Sequence, residues 1–318
     1  MDPSRYRALP DGFKCGERVE QDSAGLYSVL FYCNLPGLKT QTLEFSCREP
    51  SCGALEGDEE AATLTDDDYI VDPNFFDDGY TMAGKTGFKV WTGTRFLIEA
   101  LIWKNPSDDK RLREIQDTIR RGARIIELGS GVGVIGTYLA AMGANVLLTD
   151  LPTLVENAID LNLFRNKGIL SDSTECPKWL QPNGAPIGNG WASSTPLDWT
   201  VPIDDQLTIE QMTSLDFIVA SDVVFLIEML DSLLDTVSAL FKASEVQSPT
   251  FILSFQRRDA KDGKESKAFT TVDSILEYVK QRGWAIECLT WRYVTISKDT
   301  DEGLIKGKTE VYVFEIRP

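Results

Sequence analysis

The sequence predicts an α/β fold: a doubly wound, mostly parallel seven-stranded sheet with one antiparallel strand and helices on both faces, preceded by an N-terminal β-hairpin extension. Three observations carry this. From residue 123 onward, short apolar runs alternate with stretches of helical spacing. Between the first run and a helix stands Glu127-Leu-Gly-Ser-Gly-Val-Gly133, the tight turn of a strand–turn–helix unit. The last two strand-like runs have only a loop around Asp299 to Gly307 between them, so they pair antiparallel and reverse one strand near the sheet edge.

The elements follow in order. Tyr27–Cys33 and Thr42–Ser46 flank a Pro36-Gly37 turn and read as a hairpin. From Ala54 to Tyr80 the chain carries ten acids and no base, a solvated loop or a lure for a basic substrate. Thr94–Trp103 has helical apolar spacing, and Asp108–Arg121 is a charged connector or short helix. Strand 123–128, helix 133–142, strand 145–149 and an amphipathic helix 152–166 come next. Gly168–Gly190 is rich in Pro, Gly, Ser and Asn and reads as an inserted loop. Trp191–Trp199 is a weak strand and Leu215–Ala220 a strong one. Helix 226–241, strand 250–255, helix 267–281 and strands 284–291 and 309–316 complete the chain. Two regions result: residues 1–85, with the hairpin and acidic loop, and residues 86–318, with the alternating elements.

Composition narrows the function classes. With 318 residues, 42% of them apolar, the chain can bury a large core. The net charge is −17, without the basic footprint that phosphate backbones require, so nucleic acid is not expected and a basic protein partner is. The chain has no histidine, which removes Ser-His and Cys-His catalysis and every histidine metal site, and no metal is expected. Cys15, Cys33, Cys47, Cys52, Cys176 and Cys288 are scattered and read as free thiols, which fits a reducing compartment. The N-terminus lacks an apolar signal core, and no run approaches the ~20 apolar residues of a membrane span, so the expectation is a cytoplasmic protein, acting as a monomer.

Gly131-x-Gly133-x-x-Gly136 also satisfies the dinucleotide pattern, in which a helix N-terminus receives a pyrophosphate. The acids decide against it. Glu127, two residues before the first glycine, would repel a pyrophosphate but suits a cationic amino-acid head such as the methionine part of S-adenosylmethionine. Asp150, ending the next strand, falls where one carboxylate accepts both ribose hydroxyls, and each hydrogen bond to a charged group contributes roughly 1.5–3 kcal/mol.

These segments, taken together, resemble the class I seven-β-strand S-adenosylmethionine-dependent methyltransferases. Within that class they resemble the protein-lysine methyltransferases that modify elongation factors and chaperones. The likeness rests on five motifs in order over residues 86–318: Val90-Trp91 before a helix, the glycine loop, Thr149-Asp150-Leu-Pro152 leading to Asn157 and Asn162, Leu197-Asp198-Trp199, and Ala220-Ser-Asp222-Val-Val-Phe225. The resemblance implies S-adenosyl-L-methionine as cofactor, held by Trp91, Glu127, Gly129, Ser130, Gly131, Gly133, Asp150, Leu151, Trp199 and Ala220. It further implies a protein substrate that presents a lysine, with Asp222 and Phe225 at the catalytic end. Phe225 departs from the family's usual tyrosine at that place and keeps an aromatic wall without the hydroxyl.

Methyl transfer is an in-line displacement that needs alignment rather than a metal or histidine. A lysine amine has a pKa of about 10.4, so near pH 7.4 its neutral form costs about 4 kcal/mol. An apolar channel beside a sulfonium lowers that pKa, and Asp222, just past a strand end, is expected to orient the amine, unless it caps the following helix. Two other readings stay open on sequence: a small-molecule N- or O-methyltransferase on the same fold, and a cofactor-binding interaction protein without activity.

Overall fold

The computed structural model describes residues 2–10, 12–13, 15–21, 27–33, 43–47, 54–55, 86–168, 175–224, 226–244, 248–257, 270–300 and 303–318. The Pro36-Gly37 turn, Cys52, the acidic run beyond Leu55 and Phe225 lie outside the described residues.

Near the N-terminus, β1 (Cys15–Gln21), β2 (Tyr27–Cys33) and β3 (Leu43–Cys47) form an antiparallel three-stranded sheet. The predicted hairpin is present as β2 and β3, with Val29 opposite Cys47 and Cys33 opposite Leu43. The sequence reading missed β1, whose Cys15 pairs with Cys33 across the ladder. Those two cysteines form a disulfide, which corrects the reading of all six as free thiols. The inference from thiols to a reducing compartment loses that premise. The reason is tertiary: cross-strand register brings together side chains that are 18 residues apart in the chain.

Among the described residues the main sheet has nine strands. They are β4 (Ala54–Leu55), β5 (Arg124–Leu128), β6 (Asn145–Asp150), β7 (Ala185–Ile187), β8 (Gly190–Pro196), β9 (Phe217–Ser221), β10 (Thr250–Gln256), β11 (Ala285–Thr300) and β12 (Gly303–Arg317). Their order is β4-β11-β12-β10-β9-β5-β6-β8-β7. The expected seven-stranded sheet is its body. β8, β6, β5, β9 and β10 run parallel, and β12 is the reversed strand between β10 and β11. The two additions, β4 and β7, are antiparallel edge strands of two and three residues, too short for a periodic signal. The expected loop at Asp299–Gly307 is largely paired strand, because β11 and β12 run on until Thr300 faces Gly303.

The helices are α1 (Thr92–Ile102), α2 (Lys110–Arg120), α3 (Val134–Ala141), α4 (Pro152–Leu154), α5 (Asp160–Asn166), α6 (Ile209–Met212), α7 (Ile227–Ala243) and α8 (Val272–Gln281). A π turn at Val155–Ile159 joins α4 to α5, so the predicted single helix 152–166 is interrupted. α8 starts later than the expected residue 267, because a reciprocal cap between Thr271 and Ser274 fixes its first turn.

Alternate residues of the central strands face opposite layers. Ile125, Val146, Leu148, Val219 and Ile252 join a cluster with α1, α2, α3 and α5. Their neighbours Ile126, Leu147, Ile218, Phe251 and Leu253 join a second cluster with α7 and α8. All residues of β9 and β10 are buried, so these strands read as continuous apolar runs rather than alternations. Phe31, Cys33, Leu43 and Phe45 of the N-terminal sheet belong to the first cluster.

A buried ion network ties the N-terminal segment to this body. Glu99 of α1 accepts from Arg292 Nη1 and Nη2 of β11, each at 2.6 Å, and from Arg7 Nε at 2.9 Å. Arg7 also donates to Asp108, whose other oxygen accepts from Gln116 Nε2 at 2.9 Å. Arg292 Nε closes the loop on the Arg7 carbonyl at 2.7 Å. Two guanidiniums are balanced by two carboxylates, all four side chains being buried, and removing one partner of such a set leaves an uncompensated charge. Glu99→Ala is therefore expected to lower the unfolding free energy by about 3–5 kcal/mol in urea titration; a loss under about 1 kcal/mol would show that the network is not holding the N-terminus.

Candidate functional site

A cleft of about 600 Å³, counted to its open mouth, lies at the carboxyl edge of the parallel strands. The chain leaves β5 toward β6 and β8 on one side, while β9 and β10 lie on the other. The cleft thus sits at the topological switch point, where open α/β sheets bind ligands.

Its floor is the loop after β5. Gly129 and Gly131 have φ of +69° and +57°, a region that L side chains rarely adopt. A Cβ on Gly129 would also lie 2.5 Å from Val223 Cγ1, and one on Gly131 2.9 Å from the Gly87 carbonyl. Several of the loop's own N–H groups are spent internally. Gly131 donates to Asp150 Oδ2 at 2.7 Å, Gly133 to the Ser130 carbonyl at 2.8 Å, and Gly136 to Glu127 Oε2 at 2.9 Å. A helix N-terminus binds phosphate through free N–H groups; here the donors of Gly131, Gly133 and Gly136 are already taken by the chain itself. Among the charged residues lining the cleft are the acids Asp150 and Asp222 and one base, Lys89. The arrangement disfavours a pyrophosphate and suits a nucleoside with a cationic end.

Glu127 does not face the cleft. Its carboxylate is buried under the loop against Gly136 and Ser130. Burial pushes it up to about 8, against the pull of the Ser130 hydroxyl and the Gly136 N–H. Within the chain, this carboxylate shapes the turn through the Gly136 N–H. Asp150 is half-buried at the cleft wall, with Oδ2 on Gly131 N and Oδ1 accepting from Leu151 N at 2.8 Å. Burial raises its carboxyl to about 6, against those two N–H groups. After one bond each, both oxygens retain acceptor capacity.

Asp222 is held at φ +52° just past β9 and is buried. Its Oδ2 accepts from Gly93 N at 2.6 Å and its Oδ1 from Gln256 N at 2.8 Å, while its own N–H donates to the Ser254 carbonyl at 3.0 Å. Ser254 Oγ in turn donates to the Gly93 carbonyl at 2.9 Å. Asp222 therefore caps α1, a helix distant in sequence. Gly93 has no room for a side chain, since a Cβ there would lie 2.6 Å from Asp222 Cγ. Trp91 precedes this helix end, its Nε1 donating to the Thr86 carbonyl at 3.1 Å.

Of the sequence-predicted residues, Trp91, Gly129, Ser130, Gly131, Asp150, Trp199 and Asp222 line the cleft together. Glu127, Gly133, Leu151 and Ala220 are not among its lining residues. Leu151 contributes its N–H to Asp150, and Ala220 is fully buried within β9. Phe225 lies outside the described residues. Sequence reasoning missed Lys89, Thr94, Val223 and Met229 on the wall. For Thr94 the signal was its place three residues after Trp91, and for Val223 its place in the motif around Asp222; Met229 lay unremarked in the helix expected over 226–241.

A sequence profile described as lysine methyltransferase matches residues 79–274. EEF1A lysine methyltransferase 3 of Mus musculus is 35% identical over 68 residues, which is 21% of this chain and 29% of that protein. Protein-lysine methyltransferase METTL21E of Mus musculus is 29% identical over 122 residues, or 38% of this chain and 42% of that protein. The aligned stretch thus spans less than half the length of either relative. Among solved structures, magnesium protoporphyrin IX methyltransferase from Synechocystis PCC 6803 superimposes with a TM-score of 0.39 and 16% identity, over 78% of this chain and 100% of that one. The profile spans well over half of the chain and takes in the glycine loop, Asp150, Trp199 and Asp222, so the chain belongs to the lysine methyltransferase family.

Proposed function

We propose that this protein transfers a methyl group from S-adenosylmethionine to a lysine amine of a partner protein, acting as a monomer on a substrate with a basic face. The observation that carries it is the carboxyl-edge cleft, where the Gly131 and Gly136 N–H groups are held by acids of the chain itself while Asp150 keeps acceptor capacity toward the cleft. The residues fit the cofactor. Asp150 has two oxygens for the ribose hydroxyls, and Trp91 and Trp199 give flat apolar walls for a base and exclude water. The net charge of −17 supports a basic substrate.

When bound, the cofactor supplies an electrophilic methyl on a sulfonium. The rest falls to the chain. The acceptor amine must arrive neutral and aligned, and the apolar walls penalise its charged form. Asp222 faces the cleft already fixed by two backbone N–H groups, so its carboxylate is rigid. Its carboxylate orients the amine, and the proton leaves to solvent. The same carboxylate holds the start of α1, so one side chain both shapes the wall and addresses the substrate.

Incubating the purified chain with methyl-labelled cofactor and cell extract tests the function. Label in protein, located on lysine by mass spectrometry, is expected; label only in small metabolites, or none despite binding, would overturn the reading. Asp150→Ala should weaken S-adenosylhomocysteine binding by about one to two decades in calorimetry, and unchanged affinity would remove its sugar role. Binding needs the Asp150 carboxylate, whose free-protein value stands raised at about 6. Affinity should therefore be flat above neutral pH and fall as pH drops through that value, a dependence absent in Asp150→Asn. Asp222→Asn keeps the shape but sets an amide N–H₂ against a backbone donor. It should lower kcat by about a hundredfold while cofactor affinity stays within about threefold; equal loss of both would make Asp222 a tie for α1 alone.

A further inference from the structure

The approach to α3 leaves one carbonyl to be accounted for. Val132 stands just before the N-cap Gly133, outside the helix, and the Gly136 N–H, one of the first-turn donors without an intrahelical acceptor, donates to Glu127. The Val132 carbonyl accepts from Asn162 Nδ2 at 2.9 Å. Val132 lines the cleft, and Asn162 is buried on α5 with 1% of its surface exposed. The same amide reaches away from the cleft as well. Asn162 Oδ1 accepts from Ser46 N at 2.8 Å and Nδ2 donates to the Ser46 carbonyl at 3.2 Å. One turn on, Asn166 repeats the pattern on Glu44, accepting from its N–H at 2.9 Å and donating to its carbonyl at 2.8 Å. The two amides imitate a neighbouring strand along the free edge of β3. Only Asn162 reaches the glycine loop as well.

The N-terminal sheet is fixed to α3 from the other side too. Tyr138 Oη donates to the Cys33 carbonyl at 2.8 Å, and the Phe45 and Tyr138 rings lie 5.6 Å apart. Cys33 is also the disulfide partner of Cys15. The sheet thus holds both the helix that follows the glycine loop and, through one shared amide, the loop itself.

We propose that the N-terminal sheet is a working part of the cofactor site, and that Asn162 is the positioning residue that transmits its placement to the glycine loop. This rests on the reading of the cleft as an S-adenosylmethionine site. Asn162→Asp keeps the acceptor for Ser46 N but removes both donors. Asn162→Ser shortens the side chain without adding charge. Asn166→Asp makes the same chemical change on the same edge without touching the loop, so it controls for the β3 contact. Circular dichroism establishes that each variant is folded, and the serine variant carries the test if the aspartate variant does not fold. Calorimetry with S-adenosylhomocysteine is expected to give an about tenfold rise in Kd for the Asn162 variants and less than about twofold for Asn166→Asp. Unchanged affinity in a folded Asn162 variant, or an equal rise in Asn166→Asp, would overturn the inference while leaving the cofactor reading standing. A wild-type chain that does not bind the probe would overturn both.

Discussion

The site depends on where three carboxylates send their oxygens. Glu127 is the last residue but one of β5, Asp150 ends β6, and Asp222 stands just past β9. Each accepts a backbone N–H from the turns above them: Gly136, Gly131 and Gly93. Helix N-termini carry a partial positive charge and unpaired donors, so strand-end acids are the natural partners for α1 and α3. The pairing sets the height of the glycine loop and the approach of Trp91. It also determines what the cleft can bind, because donors committed to carboxylates cannot serve a phosphate.

The three acids are not equivalent. Glu127 is buried deepest and raised furthest, to about 8, and acts as part of the scaffold. Asp150 is raised to about 6, and Asp222 is also buried; both border the cleft. Further ties fix the acids in place. Thr149 Oγ1 donates to the Glu127 carbonyl at 2.7 Å and Thr149 N to Ser130 Oγ at 3.1 Å, joining the ends of β5 and β6. Ser254 and Gln256 of β10 join Asp222 to the start of α1. A site built on such cross-ties is preorganised, which is what an alignment-limited displacement requires.

The N-terminal region, expected from sequence as an extension ahead of residue 86, packs its apolar face into the same cluster as α1 and α3. Arg7 enters the buried network with Glu99, Asp108 and Arg292. These contacts span 92 to 285 residues of sequence separation, which no local pattern records.

The sequence by itself determined the layered α/β architecture, the reversed strand and the location of the cleft. Each of these follows from local signals: apolar runs of strand length, glycines where the backbone must turn left-handed, and the missing helix before the last strand. Asp150, which ends β6, and Trp199, three residues past the end of β8 rather than on the strand expected over 191–199, both line the cleft, because a residue at or just past the carboxyl end of a parallel strand emerges at that edge. Direction was decided by the tertiary structure. Whether Glu127 turns inward or outward depends on the Gly136 N–H nine residues on. Which helix Asp222 caps depends on Gly93, 129 residues away. The disulfide and β1 depend on register within a sheet whose strands are separated by turns. Side-chain partners across the fold are chosen by packing, and packing exists only once the whole chain has folded.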